Sequence, residues 1–414
     1  MTDLHELCKF QIRPVDGRYL TELKYFLRNG IPSTYTEEDA FNYINGIEEE
    51  AETTTTPLHI ICRSYPQDAS EEEAKVINEM AATLFEYGAG WCLVDADGNT
   101  PGCVLAKRGL KHIDLYEQIV DAGVRAELLL RKVECNVEFV EPDSGDAQVE
   151  EQGAQPHVES VETETKAGCA AKDPADSQEA YLNAKLRYEK GALVTEEQND
   201  GVMMDWETDL MKRGCDTIFK GAQVDGELDD EVAILNIGFG MGIIDSFIAE
   251  KQPTKHYICE AHPDVLVKMK RDGWYDRPNV VVLEGTWKEQ LDKLLSQGNV
   301  FFNGVYYDTF SEHYEDMLDL FDVLVGLLKP HGVFSFFNGL GADREVVYDV
   351  YKNLVSMDLS NYGLSCSFEN VDMSTSRLHG TSEESNDGSV WDNIKRPYWV
   401  CPVYYHPEVK FVDF

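Results

Sequence analysis

Glycines and carboxylates in the middle of this 414-residue chain have the types and spacing of a ligand site. An apolar run, 232–237, leads into the turn Gly238-Phe239-Gly240-Met241-Gly242, and Glu260 follows about 20 residues later at the end of a second apolar run. The glycines let the backbone turn sharply and approach a ligand, and a carboxylate at that spacing accepts hydrogen bonds from ribose hydroxyls. The stretch therefore predicts a site for an adenosine-type cofactor.

The turn also discriminates between adenosine cofactors. It lacks the third glycine that opens the helix beneath a pyrophosphate, because Ile243 stands three residues after Gly240. A ligand without a diphosphate, such as S-adenosyl-L-methionine, fits this turn better than NAD. Glycine-rich turns also occur as plain turn chemistry, so the carboxylate Glu260 is what favours a cofactor site.

Glu207 is a second carboxylate with unusual neighbours. We predict a helix over Met203–Met211, in which residues 203, 207 and 211 share one face and Glu207 lies between two methionines. Burying a carboxylate there without a cationic partner is costly, so the position favours a cation site. The alternative is an amphipathic helix whose glutamate reaches water. An earlier helix is predicted to run from Tyr181 through Tyr188.

Strands alternate with helices around these residues. Beyond the first two, strands are predicted at 279–284, 301–308 and 333–337, with helices between them. This alternation predicts a parallel, doubly wound α/β sheet. The runs 364–373 and 398–405 have no helix between them, so we predict an antiparallel hairpin at the sheet edge. The whole pattern is that of a seven-stranded Rossmann-like sheet.

Ligands of such sheets bind outside the carboxyl ends of the strands. By these boundaries Gly238, Glu260, Gly285-Thr286 and Asp308 all lie there, so they should converge on one cleft. We expect Glu260 to take the ribose hydroxyls and the Gly285-Thr286 backbone to approach the adenine. Asp308 should lie beside the reactive group of the cofactor.

The N-terminal part carries a different pattern. Thr56-Pro57-Leu58-His59 matches the start of an ankyrin repeat signature, and Asp97-Gly98-Asn99-Thr100-Pro101 is typical of the start of a following repeat. We predict an α-helical, ankyrin-like repeat domain over residues 1–140, which either docks a partner or caps the neighbouring domain. Residues 141–178, rich in acidic and small polar residues, predict a flexible linker. The cofactor-binding domain then spans 179–414.

Composition limits the partners. With 76 acidic and 36 basic residues, the formal net charge is -40. Such a surface repels phosphate backbones and anionic lipid, so we expect no direct binding to nucleic acid or membrane and favour a basic protein partner. No apolar run reaches bilayer-spanning length, and no basic region precedes an apolar one at the N-terminus. We expect a soluble, cytoplasmic protein, with a nuclear location as the alternative.

The ten cysteines include no CxxC pair, and several, such as Cys62, Cys259 and Cys401, stand inside apolar runs. They predict reduced, buried thiols. Since the histidines are equally dispersed, we expect no metal.

The chain resembles guanidinoacetate methyltransferases in six segments, which occur in the same order and at similar spacing: VMMDWETDLM, LNIGFGMGI, YICEAHPDVL, EGTWKEQL, GVYYDTF and LLKPHGVFSFFN. With the ankyrin-like front, it resembles the fungal arginine δ-N-methyltransferases, the type IV class. The resemblance covers about Tyr181 to Tyr405, and the combination of WET, YDT and the glycine turn is specific. It implies a class I methyltransferase that uses S-adenosyl-L-methionine.

The resemblance also assigns residues. Glu207 and Asp308 are the implied catalytic pair. Tyr188 is the one implied contact that lies outside an ungapped motif. The implied cofactor contacts are Tyr188, Met203, Met211, Gly238, Phe239, Gly240, Met241, Gly242, Ile243, Glu260, Ala261, His262, Gly285, Thr286 and Asp308.

The implied reaction agrees with guanidinium chemistry. The ion is planar and rich in donors, so carboxylates on two walls can hold it in one orientation, and a carboxylate bonded to the reacting nitrogen can take its proton. Guanidinoacetate methyltransferases modify the internal nitrogen, which corresponds to the δ nitrogen of a peptidyl arginine. That nitrogen carries one hydrogen, so a single methyl group is added. The substrate class that the resemblance implies is a large-subunit ribosomal protein.

The sequence disfavours one related function and leaves two alternatives. The loop with two glutamates and the Thr-His-Trp segment of the commoner arginine methyltransferases are not found at the expected places. A small-molecule guanidino methyltransferase is one alternative. Another is an inactive binding protein whose repeats dock a basic partner, against which the intact Glu207, Glu260 and Asp308 argue.

Overall fold

The N-terminal part of the protein is entirely helical where it is described. A computed structural model describes residues 3–48, 54–134, 173–189, 191–224, 226–373 and 390–412. The first two of these ranges contain seven helices: α1 (Asp3–Cys8), α2 (Gly17–Arg28), α3 (Glu37–Asn45), α4 (Pro57–Ser64), α5 (Glu71–Glu86), α6 (Pro101–Lys107) and α7 (Asp114–Glu134). The predicted helical domain is confirmed.

Two helical pairs in this domain stack on each other. The α4 helix packs against α6, and α5 packs against α7. His59 links the pairs: its Nδ1 accepts the Thr56 N–H at 3.2 Å, so its Nε2 donates, and the Asn99 carbonyl lies 3.0 Å away. The ankyrin-like identity of these pairs stays a prediction.

The rest of the chain forms a three-layered α/β unit. Its helices and strands, in chain order, are α8 (Gln178–Asn183), β1 (Leu186–Glu189), β2 (Ala192–Thr195), β3 (Gly201–Met204), α9 (Thr208–Ile218), β4 (Gln223–Val224), β5 (Glu227–Leu228), β6 (Ala233–Ile237), α10 (Ile243–Glu250), β7 (Lys255–Glu260), α11 (Pro263–Arg271), β8 (Val280–Glu284), α12 (Trp287–Gln297), β9 (Phe302–Tyr307), α13 (Tyr314–Leu327), β10 (Leu328–Phe336), α14 (Glu345–Asn361), β11 (Leu364–Asp372) and β12 (Val403–Phe411).

The predicted Rossmann-like sheet is confirmed. Seven strands lie in the order β11-β12-β10-β9-β6-β7-β8. The five from β6 to β10 are parallel, and β12 is antiparallel to both β10 and β11. The carboxyl ends of the parallel strands therefore meet at one edge, where the glycine turn follows β6.

Two helix predictions were wrong, because strand pairing overrides local propensity. The helix predicted through Tyr188 ends at Asn183, and residues 186–189 pair with β2 instead. The helix predicted from Met203 begins only at Thr208: Met203 and Met204 pair with β2, and a single 3-10 turn spans Asp205–Glu207. Residues 203, 207 and 211 therefore do not share one helix face.

Two other boundaries moved. The run predicted as a strand from Tyr398 enters the sheet only at Val403, because Trp399 and Cys401 are buried in a separate aromatic cluster. The predicted linker ends earlier than expected: Asp173 pairs with Lys395 at 2.8 Å and with Arg396 at 3.1 Å, and α8 begins at Gln178. Residues 141–172 lie outside the described residues.

The helical domain is docked on α14 through a tight interface. The Lys111 ammonium lies 3.2 Å from Glu345 and 3.0 Å from Asp349, and the Tyr116 hydroxyl donates to Asp349 at 2.6 Å. A Cβ added at Gly102 would lie 2.4 Å from Cγ2 of Val346. One hydrophobic core runs through both parts. Among the described residues, no helix is both long and apolar enough to span a membrane.

Gly102→Ala should weaken this interface. Its new methyl group would overlap a branched valine that has little freedom to move, and we expect a loss of about 1–2 kcal/mol in the free energy of unfolding. Chemical denaturation of the full chain measures it. Gly17→Ala, in α2 with nothing near the added Cβ, is the matched control and should stabilise by about 0.5–1 kcal/mol. Equal effects of the two changes would contradict the close packing.

Candidate active site

Two adjoining cavities lie at the carboxyl edge of the sheet. The first runs over the glycine turn and the ends of β7, β8 and β9, and the second extends toward α13 and the segment after β10. Asp308 and Glu312 line both, so the two cavities share a wall. The predicted residues that line the first cavity are Met203, Gly238, Gly240, Glu260, Ala261, Gly285, Thr286 and Asp308.

Gly238 is required by a backbone contact. Its φ is +92°, and a Cβ there would lie 1.8 Å from the carbonyl oxygen of Asp308. The Asp308 N–H in turn donates to the Ile237 carbonyl at 2.9 Å. The glycine turn and the Asp308 backbone are therefore in direct contact, and no other residue fits at position 238.

Phe239, Met241, Gly242 and Ile243 do not line the cavity. Phe239 is buried in the core, and a Cβ at Gly242 would lie 2.4 Å from its ring. The Met241 N–H points to the Met203 sulfur at 3.2 Å. Ile243 begins α10 and packs against the core.

Glu260 binds the glycine turn as well as facing the cavity. One carboxylate oxygen accepts the Phe239 N–H at 2.9 Å and the Gly240 N–H at 3.4 Å, and the other accepts the His262 N–H at 2.6 Å. Burial raises the pKa of Glu260, and these donors oppose that rise. Glu260 also lines the cavity, so its carboxylate lies within reach of a ligand there.

A buried polar network anchors the turn from below. Asn236 donates to the Gly238 carbonyl and to Asp245, each at 2.8 Å, and His256 lies 2.9 Å from the other Asp245 oxygen. All three side chains are fully buried, and burial raises the pKa of Asp245. Nothing in the sequence pattern had singled them out, because their contacts join β6, α10 and β7.

Three further predicted cofactor contacts, besides those in the turn, lie outside the first cavity. The Tyr188 hydroxyl donates to the Gly240 carbonyl at 3.0 Å, so Tyr188 supports the turn from the outside. His262 caps α11, and its Nε2 lies 3.1 Å from the Tyr181 carbonyl. Met211 is fully buried in the core and lines neither cavity.

The second cavity, about 420 Å³ in volume, holds the proposed catalytic pair. Glu207 and Asp308 both line it, together with Phe336, Phe337 and Tyr398. None of the described residues that line it is lysine or arginine. Carboxylates between aromatic rings suit a flat organic cation.

The surroundings of both carboxylates disfavour their ionised form, which a bound cation would stabilise. Glu207 is 3% exposed; it accepts the Tyr398 hydroxyl and, at 3.3 Å, the Met204 N–H. Burial and then the charge of Asp308 raise the pKa of Glu207 well above its ordinary value, and burial raises the pKa of Asp308. A bound cation would offset both effects and favour the ionised pair.

Sequence reasoning missed several residues of the site. Trp287 and Phe310 line the first cavity, and they lie in the segments EGTWKEQL and GVYYDTF. Glu312, four residues after Asp308, borders both cavities. Tyr398 could not be found from the sequence, because 191 positions separate it from its partner Glu207.

The described residues contain no group of three or more His, Cys, Asp or Glu side chains arranged to hold a metal ion. The described cysteines are free thiols, and Cys62, Cys259 and Cys401 are buried as predicted.

Comparisons with known proteins agree with the motifs. A family model described as Guanidinoacetate N-methyltransferase matches residues 171–381. A protein of Debaryomyces hansenii named Protein arginine N-methyltransferase 2 is 59% identical over 434 residues, which cover 100% of both chains. Proteins of the same name from Candida glabrata and Saccharomyces cerevisiae are 48% and 47% identical, covering 99% of this chain and 100% of each of theirs.

Glu207→Gln should stabilise the protein. The raised folded-state pKa means that ionising Glu207 costs stability, so wild-type stability falls as pH rises through the interval between the unfolded and folded pKa values. Glutamine keeps an oxygen for Tyr398 and Met204 and removes the charge. We expect a gain of about 1–2 kcal/mol at neutral pH, seen as a higher melting temperature.

The pH dependence provides the check. The melting-temperature difference between variant and wild type should shrink between about pH 8 and about pH 5. Glu79→Gln, on an exposed position of α5, is the control and should change little at either pH. A Glu207→Gln protein that is less stable than the wild type at pH 8 would contradict the buried charge.

Proposed function

This chain belongs to the protein arginine N-methyltransferase 2 family, and we propose that it transfers one methyl group from S-adenosyl-L-methionine to the δ nitrogen of an arginine in a basic protein. The juxtaposition of Glu207 and Asp308 in one cavity beside the glycine turn carries this proposal. A large-subunit ribosomal protein is the substrate that the family resemblance suggests.

The first cavity fits an adenosine cofactor by its own residues. Glu260 lines the cavity, where a ribose hydroxyl can reach its carboxylate. The backbones of Gly285 and Thr286 follow the neighbouring strand β8 and line the same cavity, where they can meet the adenine. Gly238 and Gly240 leave open the space along the turn for the amino-acid part. When bound, S-adenosyl-L-methionine supplies an electrophilic methyl group on a sulfonium.

Asp308 is placed to serve both ligands, because it lines both cavities. Glu207 on the facing wall binds the terminal guanidinium nitrogens, and Asp308 accepts a hydrogen bond from the internal one. As the new nitrogen–carbon bond forms and the sulfur–carbon bond breaks, the Asp308 carboxylate takes the proton from the δ nitrogen. Its raised pKa makes it a better proton acceptor than an exposed aspartate.

The charges in the second cavity support a peptidyl arginine over a small guanidino acid. Glu207, Asp308 and Glu312 all line it, and no described lysine or arginine does. The carboxylate of guanidinoacetate would therefore lie among three acidic side chains without a described lysine or arginine to pair with, whereas an arginine inside a protein chain carries no such carboxylate. The net charge of -40 favours a basic partner in the same way.

The helical domain supports a docking role next to the site. We propose that α4–α7 are ankyrin-like pairs, on the strength of the stacked helices and the His59 link, and that this domain docks the substrate in the cytoplasm or nucleus. Methylation of a small guanidino compound is the second candidate, favoured by the family match over residues 171–381.

Incubation with a basic ribosomal protein fraction and isotopically labelled S-adenosyl-L-methionine tests the reaction. Mass spectrometry of the modified arginine should show a single methyl group on the δ nitrogen. Asp308→Asn should reduce turnover by about a hundredfold or more and change cofactor affinity far less. Asp343→Asn, which alters an exposed side chain, is the control and should retain activity. Terminal-nitrogen methylation, or better turnover of guanidinoacetate than of protein, would contradict the proposal.

Enzyme activity should also fall at a higher pH than the protonation of an ordinary aspartate would cause. Because burial raises the pKa of Asp308, protonation disables the base at a pH well above about 3.9, where an ordinary aspartate titrates. The pH profile of kcat/KM for the protein substrate reports this free-enzyme ionisation. An activity that stays constant down to about pH 5 would contradict it.

A further inference from the structure

Glu312 is the most heavily bonded side chain of the site. One of its oxygens accepts Gln178 Nε2 at 2.6 Å and Trp287 Nε1 at 3.0 Å. The other accepts the hydroxyls of Tyr307 and, at 2.8 Å, Thr309, with Trp287 Nε1 also at 3.1 Å. Four donors from α8, α12, β9 and the segment after β9 thus converge on one carboxylate.

The number of donors decides whether Glu312 can bind a substrate or acts by holding other residues. Two carboxylate oxygens offer about four lone-pair positions, and the four donors occupy them. Glu312 therefore has no acceptor capacity left for a substrate, although it lines both cavities. Its role must be exerted through the residues it holds.

The two oxygens hold different parts of the site. Gln178 begins α8, whose Tyr181 lines the cofactor cavity and packs between the rings of His262 and Phe310, at 4.8 and 4.9 Å. Tyr307 and Thr309 flank Asp308. The segment beyond them contains Ser311 with φ +63°, a left-handed conformation that is unfavourable in a residue other than glycine, so bonds from neighbouring residues are needed to hold it.

We propose that Glu312 is a positioning residue that holds two parts of the site at once: one oxygen holds α8, which lines the cofactor cavity, and the other holds the residues beside Asp308. This deepens the proposed function and rests on it. The α8 wall of the cofactor cavity and the orientation of the proton acceptor are then set by the same carboxylate.

Variants on the two sides of Glu312 separate its effects. Gln178→Ala removes the bond between α8 and Glu312, and it should weaken S-adenosyl-L-methionine binding about three- to tenfold while kcat at saturating cofactor stays within about twofold. Gln178 also lines the cofactor cavity, so the loss is assigned to Glu312 when Glu312→Gln shows the same loss of affinity. Thr309→Val removes a bond beside Asp308, and it should lower kcat about three- to tenfold while cofactor affinity changes little. Glu312→Gln should show both losses, because an amide nitrogen cannot accept from the donors it faces.

Cofactor titration of the full chain, followed by tryptophan fluorescence or calorimetry, and initial rates on the protein substrate provide the readouts. Glu315→Gln, an exposed glutamate three residues away, is the matched control and should match the wild type in both. A role in stability alone would move the melting temperature without this split between affinity and kcat.

The outcomes distinguish the two proposals. A wild type that fails to bind S-adenosyl-L-methionine overturns the proposed function. A wild type that binds it, with Gln178→Ala and Thr309→Val unchanged or equally affected in affinity and kcat, overturns the two-sided positioning by Glu312 alone. If Glu312→Gln does not fold, the two flanking variants decide the question.

Discussion

The structure is organised around two carboxylates of like charge that line one cavity, in which no described residue is lysine or arginine. Burial opposes the ionisation of each, and each opposes the ionisation of the other. The fold tolerates this because a cation from outside can complete the arrangement. Because no described lysine or arginine lines the cavity, the two carboxylates favour a cationic ligand. The aromatic side chains of Phe337 and Tyr398 favour a flat one.

Short backbone contacts keep this arrangement in place. The glycine turn contacts the Asp308 carbonyl, the Asn236–Asp245 network holds the turn from below, and Glu260 bonds to it from the side. Polar groups that are buried and bonded in this way restrict motion more than apolar packing does. A site that must align a methyl donor with one nitrogen of a cation gains from such rigidity, because small displacements are costly in rate.

The sequence predicted the parts of this site that depend on local pattern. Strand periodicity and the glycine turn were sufficient for the sheet, its closing hairpin and the position of Gly238, Glu260 and Asp308. The predictions failed where contacts between distant parts of the chain determine the structure. Met203 lies in a strand instead of a helix, and Met211 is buried in the core. Tyr398 and Glu312 were missed for a related reason, since the donors and acceptors that define their roles come from other elements.

The docking of the helical domain on α14 has a consequence for the catalytic part. The helix presents Val346 and Val350 to the helical domain, and its Asp349 and Asp358 take their cationic partners from Lys111 and Arg131. Cutting the chain after residue 134 would expose this apolar surface to water and remove the cations from both acids, which would keep only their tyrosine partners. Residues 339–341, just ahead of α14, form a wall of the second cavity. The helical domain and the α/β unit therefore share one core and should unfold together, so that neither can be removed without exposing part of the other.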